Sequence, residues 1–326
     1  MKQSSRRRAR GWPSDRSAAE QRRLRVPEIT ALFWIIKGLS TAMGESTSDY
    51  LVHAIGPVPA VLLGFSFFLI ALAVQFSRRR YLAWSYWFAV CMVGVFGTMA
   101  ADVLHVGFGV PYYASSALYG VALAAIFLTW QKTERTLSIH SIDRFSREAF
   151  YWMTVVATFA LGTAVGDLSA VTLHLGYFLS AMLFTAVICI PAIGYWRLGW
   201  NAIFAFWFAY VITRPLGASF ADWMGKPKSA GGLGWGAGPV AAAFAALIVV
   251  FVAYLTISRR DVIGQRPSPE TQAIRRSDRS AVVYRSRSRH RLVVRLLVWL
   301  LFLAAVGIVT FAAGYLLGSH FLAHLP

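Results

Sequence analysis

This sequence has little cysteine and little acid. Its two cysteines, Cys91 and Cys189, both fall inside apolar runs. That excludes a disulfide framework and a cysteine-rich metal centre, and the expectation is that both are small core residues. Aspartate and glutamate together number 14 against 32 lysines and arginines, and charge of either sign makes up only 14% of the chain. So little charge does not suit an ordinary soluble domain. Motifs of enzyme chemistry are missing as well. There is no HExxH pair, nucleophile elbow, phosphate loop or dinucleotide glycine fingerprint, so the chain reads as a non-enzyme without a covalently bound cofactor.

What the sequence has in abundance is apolar length. Hydrophobic residues are 57% of its 326 positions. Runs of about 20 apolar residues, enough to cross about 30 Å of hydrocarbon, recur along it. Inside lipid the backbone must satisfy its own hydrogen bonds, so such runs are helices. The expected class is an all-α, polytopic integral membrane protein. Its spans pair into units at about 28–76, 81–130, 150–196 and 201–257, giving eight spans, and a ninth is expected within residues 292–326.

The net charge of +18 is not spread evenly. It gathers in residues 1–27, in a linker at 258–291 and in short turns at Arg78, residues 131–149 and Arg197. These segments alternate with turns that carry almost nothing but Lys226 and Lys228, which is the positive-inside pattern. It predicts a bacterial inner-membrane protein with its N-terminus cytoplasmic and, after nine spans, its C-terminus outside. Residues 1–27 read as a disordered basic tail with no signal-cleavage site. Membrane lipid is the expected partner of these basic segments, and no nucleic-acid module or aromatic interleaving accompanies them. Oligomeric state has no signature here.

One motif is used four times. Trp34, Trp87, Trp152 and Trp207 are each followed ten residues later by a glycine (Gly44, Gly97, Gly162, Gly217) and fifteen residues later by an aspartate (Asp49, Asp102, Asp167, Asp222). Fifteen helical residues advance about 22 Å, so tryptophan and aspartate lie near opposite ends of each span. The tryptophans are expected in an interfacial aromatic belt and in helix packing, and the glycines where helices approach closely. A carboxylate inside a span costs about 2.5–3.5 kcal/mol on insertion scales and usually marks an ion, proton or substrate path. Four in register are therefore the candidate site.

The spans hold Glu45 and the four aspartates against Lys37 and Arg214, an excess of acid that favours a cation or protons over an anion. Carboxylates suit a hard divalent ion, and crowded carboxylates suit proton carriage. Asp49, Asp102, Asp167 and Asp222 are thus candidate metal ligands, with Lys37 and Arg214 as internal counter-charges. Arg214-Pro215 should kink its span. His53, His105 and His174 end three motif helices and are placed at the outer mouth. A hydrolytic dyad is poorly supported by four equivalent carboxylates.

The segments Phe33-Trp34 to Asp49, Tyr86-Trp87 to Asp102, Tyr151-Trp152 to Asp167 and Phe206-Trp207 to Asp222 resemble a bacterial membrane-protein family built from four tandem two-helix repeats of unknown function. The resemblance covers about residues 28–257. It implies architecture and location but no activity. The residues themselves point to a cation transporter, in its most specific form a proton-coupled divalent-metal exporter. The alternative is a membrane-anchored scaffold or regulator that recruits partners through its basic segments.

Overall fold

A computed structural model describes residues 24–78 and 80–262. The expected ninth span, most of the basic tail and most of the linker lie outside the described residues. Among the described residues the chain is helical and contains no strand. Eight long helices follow one another: α1 (Ala31–Ile55), α2 (Pro57–Phe76), α3 (Ala83–Asp102), α4 (Tyr112–Glu134), α5 (Phe145–Asp167), α6 (Gly176–Arg197), α7 (Ala202–Gly225) and α8 (Ala237–Ser258). Local chemistry sets several of their ends. The Thr30 side chain caps α1 by accepting from the Phe33 amide, and Asn201 caps α7 through Ile203 and Phe204. Pro57 opens α2 at a position where its missing N–H costs nothing.

Seven of the eight, α2 to α8, are long and apolar enough to cross a membrane. The count of eight is corrected for α1, whose 25 residues include Lys37, Glu45, Asp49 and a polar run from Ser46 to Ser48. Its polarity has a place to go, because α1 is an inner helix. The motif helices α1, α3, α5 and α7 pack in a closed ring, each against the next and α7 against α1. The other four lie outside. Their main contact is with the inner helix of the following unit: α2 with α3, α4 with α5, α6 with α7, and α8 back on α1. Between 56% and 67% of the apolar stretch is buried in α3, α5 and α7, against 17–22% in α2, α4, α6 and α8. The outer ring is therefore the lipid-facing one. Cys189 lies exposed on α6, contrary to the expectation of a core residue, while Cys91 on α3 is buried.

The ring obeys one rule of neighbours. The aromatic before each tryptophan meets the tryptophan of the next unit: Phe33 with Trp87 at 5.6 Å between ring centroids, Tyr86 with Trp152 at 5.7 Å, Tyr151 with Trp207 at 6.1 Å, and Phe206 with Trp34 at 5.7 Å. Trp87, Trp152 and Trp207 are consequently buried to within 5%. The belt expected of the tryptophans is replaced by an internal collar, because the rings are drawn into the seam between inner helices. The motif glycines follow the same rule further along. A Cβ on Gly44 would come within 2.7 Å of the Gly94 backbone, and one on Gly97 within 2.8 Å of Phe159 Cβ. Gly162 abuts Arg214, and Gly217 abuts Thr41.

The chain before α1 ties down the aromatic end of the ring. Arg25 donates a backbone bond to Ile142 (3.1 Å), Leu24 accepts one from Tyr81 (3.0 Å), and Glu28 donates one to Asp261 (2.8 Å). The Arg25 side chain pairs with buried Glu148, which also accepts from Gln75 Nε2 at 3.0 Å. The hydroxyl of Tyr81 donates to Asp261. This segment joins three separate connections at one end of the bundle.

Candidate functional site

Counted from the tryptophan, the inner helices bury a row spaced by four residues. The aromatic one residue before it comes first, and residues three, seven, eleven and fifteen after it follow. Each step of four advances about 6 Å and drifts about 40°, so the row winds round the helix as it runs along it. Equivalent rows from four parallel helices stack into layers. The first layer is Phe33, Tyr86, Tyr151 and Phe206, where the two tyrosine hydroxyls meet at 2.5 Å.

The second layer holds Lys37, Val90, Val155 and Tyr210, and the third Thr41, Gly94, Phe159 and Arg214. Lys37 is 1% exposed and its ammonium makes no hydrogen bond to a described residue. It lies over the ring faces of Phe159 at 4.0 Å and Tyr210 at 4.2 Å. Stacking on desolvated rings is worth about 2 kcal/mol. The counter-charge role expected of Lys37 toward the aspartates is thus not what its contacts show. It is held by rings.

The fourth layer is Glu45, Thr98, Thr163 and Ala218, and Arg214 reaches into it. Its Nη2 donates to Glu45 Oε2 and Thr163 Oγ1, each at 2.7 Å, and to Thr98 Oγ1. Nη1 lies 3.5 Å from the Thr41 carbonyl. One side chain of the fourth unit therefore binds all three others. The threonines are oriented for this: Thr98 donates to Gly94 O at 3.0 Å and Thr163 to Phe159 O at 3.2 Å, so their lone pairs face Arg214. Arg214 and Glu45 are 0% and 4% exposed, and α7 runs unbroken through Pro215. Arg214 neutralises Glu45 rather than an aspartate.

The fifth layer is the four aspartates, and the structure places them in two kinds of surroundings. Asp49 meets Lys226 Nζ at 2.5 Å, and Asp222 lies 3.6 Å from the same ammonium. Lys226 is one of the two turn lysines, and the glycine-rich loop turns it inward. Leu233, Trp235 and Gly236 donate back to the carbonyls of Trp223, Met224 and Gly225 at the end of α7. Gly231, Gly234 and Gly236 take positive φ to make that return. Burial works to lower the Lys226 pKa, but Asp222 and Asp49 outweigh it and hold the ammonium charged well above its ordinary range. Lys226 was not among the expected site residues, although its place one helical turn beyond Asp222 was a signal for it.

Asp102 and Asp167 make no hydrogen bond or ion pair to a described residue. Each stands within the field of Glu45 and Lys226. Each is also the last residue of its α-helix: α3 and α5 pass there into π-helical turns, Val103–Gly107 and Leu168–Thr172. Such turns are rare and often sit at functional sites. Among the described residues no three His, Cys, Asp or Glu side chains are close enough to hold a metal ion. The histidines stand apart from the acid layer in their contacts. His53 Nδ1 lies 2.7 Å from the Asp49 carbonyl, His105 Nδ1 lies 2.9 Å from the Val110 carbonyl with its ring on Tyr112, and His174 is exposed in a left-handed conformation.

The geometry defines a helical membrane bundle of four tandem two-helix units with charged groups along its axis. The family Repeat of Unknown Function (DUF347) matches residues 32–81, 85–136, 150–199 and 205–261, more than half of the chain, and the chain belongs to that family. No curated protein and no solved structure matches it.

Proposed function

We propose that the protein is a non-enzymatic, proton-coupled cation transporter of the bacterial inner membrane, whose acid layer takes up the cation or the proton. The observation that carries this reading is the pair Asp102 and Asp167. They are half-buried in apolar segments, without an ionic partner among the described residues, at the two points where an inner helix leaves α-geometry. Carboxylates are expensive there and are kept where they bind or carry charge.

Charge supports the sign of the substrate. Five carboxylates, Glu45 and the four aspartates, face Lys37, Arg214 and Lys226, so two formal negative charges remain. Lys226 already occupies the space between Asp49 and Asp222 as an internal cation. An arriving cation meets Asp102 and Asp167 first, and a divalent ion would have to draw these groups together and displace Lys226. In this reading the basic turns set the aromatic end at the cytoplasm and the acid layer toward the outside.

The test is flux in sealed proteoliposomes carrying a pH-sensitive dye. Imposing gradients of Na⁺, K⁺, Mg²⁺ or Mn²⁺ in turn should drive proton movement for one ion at least. Asp102→Asn and Asp167→Asn should abolish it while eluting as folded protein in detergent. Full flux in both variants would remove the reading. Folded, flux-free wild type whose basic segments capture a partner would favour the scaffold instead.

A further inference from the structure

Arg214 is held in a way that does not suit a guanidinium. Its Nη2 carries two hydrogens, yet three oxygens converge on it: Glu45 Oε2 and Thr163 Oγ1 at 2.7 Å, and Thr98 Oγ1. Guanidinium normally presents a planar fork to a carboxylate, two nitrogens to two oxygens. Here one nitrogen is surrounded while Nε makes no hydrogen bond to a described residue. The cage comes from equivalent positions of three different units, and the fourth contributes Ala218, which has no oxygen. The nearer acceptor of each hydroxyl is a carbonyl of its own helix, with Glu45 Oε2 a longer alternative for Thr98 at 3.4 Å, so the oxygens keep lone pairs for a cation. Three lone-pair oxygens around one point describe a cation site.

We infer that Glu45, Thr98 and Thr163 form an axial binding site for a monovalent cation of the potassium or ammonium class, and that Arg214 occupies it as a tethered plug. The class follows from charge: one carboxylate and two neutral hydroxyl oxygens supply a single negative charge, the complement of one monovalent ion. The plug also has an electrostatic neighbour: the Phe159 ring carries Arg214 at 5.2 Å and the Lys37 ammonium at 4.0 Å. Two fixed cations in consecutive layers bar a third from the axis while Arg214 remains in the cage. Passage of a cation between the acid layer and the aromatic collar therefore requires Arg214 to leave Glu45. The inference rests on the transport reading for its purpose, but the site itself is tested without transport.

Three variants in detergent make the test: Arg214→Ala, Arg214→Lys and the double variant Arg214→Ala/Glu45→Gln. Thermal unfolding is followed in KCl or NH₄Cl against N-methylglucamine chloride at constant ionic strength. Arg214→Ala should gain a saturable, several-degree stabilisation from K⁺ or NH₄⁺, absent in wild type and in the double variant. Arg214→Lys should stay close to wild type, because an ammonium offers three hydrogens to three oxygens. In proteoliposomes Arg214→Ala should leak K⁺ at least tenfold faster than wild type. Recovery of folded Arg214→Ala only in K⁺ or NH₄⁺ counts as the same support. An Arg214→Ala that folds and ignores every cation overturns the inference. So does one that fails in all salts while the double variant folds, or an Arg214→Lys as unstable as Arg214→Ala. None of these outcomes depends on whether the wild type moves protons, so the two readings fail separately.

Discussion

In the first and fourth units the motif helix runs as unbroken α-helix past its aspartate, and both aspartates share Lys226. In the second and third the α-helix stops at the aspartate, a π-turn follows, and the carboxylate has no described partner. The same division appears one layer down, where units one and four supply Glu45 and Arg214 and units two and three supply only threonine hydroxyls. One seam of the ring, between α1 and α7, is thus locked by charge. The opposite seam, between α3 and α5, is held by packing around Phe159 and by the Tyr86–Tyr151 hydroxyl hydrogen bond, and its acids have no described partner. A ring of four similar helices thus has one charged seam and one uncharged seam.

Breaking the charged seam should have the largest effect. Arg214→Met leaves Glu45 buried without its partner, which costs about 3–5 kcal/mol. Replacing both, as Arg214→Met/Glu45→Gln, should recover most of that loss in chemical denaturation. If the single variant is as stable as the double, the seam is not held by charge.

Close approach comes next. Gly44→Ala sets a methyl 2.7 Å from the Gly94 backbone, where no side chain can yield. Overpacking of this kind costs about 1–3 kcal/mol. Gly38, on the same helix, has nothing within 4 Å of an added Cβ. Gly38→Ala should be neutral or gain up to about 1 kcal/mol from helix propensity. Equal effects at the two sites would dissolve the distinction between seam and outer face. Lys226→Met should cost less, about 1 kcal/mol, because the pair is partly solvated. It should, however, raise cation binding by the acid layer, since Asp49 and Asp222 lose their internal ammonium. Unchanged or weaker binding would sever Lys226 from the site.

Much of this division could be read from the chain. Regular Trp-to-Asp spacing revealed four units and the inner helices, and Glu45 and Arg214 were already legible as charges within the spans. Two things were hidden. One is the row that sets the layers: it starts at the aromatic before the tryptophan and drifts about 40° round the helix with each step of four, so helical periodicity alone does not pick it out. The cyclic shift, each outer helix resting on the next unit, depends on packing between segments far apart in sequence. Lys226 was legible as a turn lysine one helical turn beyond Asp222, but its reach to Asp49 was not, because that depends on a loop folding back on α7. The π-turns after Asp102 and Asp167 have no distinguishing composition in Val103–Gly107 and Leu168–Thr172.

The smallest expected effect lies at the other end of the bundle and separates its fastening from the axial charges. The Asp261 carboxyl is raised from its ordinary pKa by burial, partly offset by the hydrogen bond from Tyr81. A folded-state pKa above the unfolded value means that the protonated acid favours the fold. Its contribution is complete below the unfolded pKa of about 3.9 and fades as pH rises through the folded value. Asp261→Asn mimics the protonated form and should flatten that part of the stability profile between acid and neutral pH, measured by thermal unfolding. Flux should not change, because Asp261 holds the segment before α1 and not the axis. A flux defect in Asp261→Asn with normal stability would mean that this segment does more than fasten, and that the aromatic end takes part in opening.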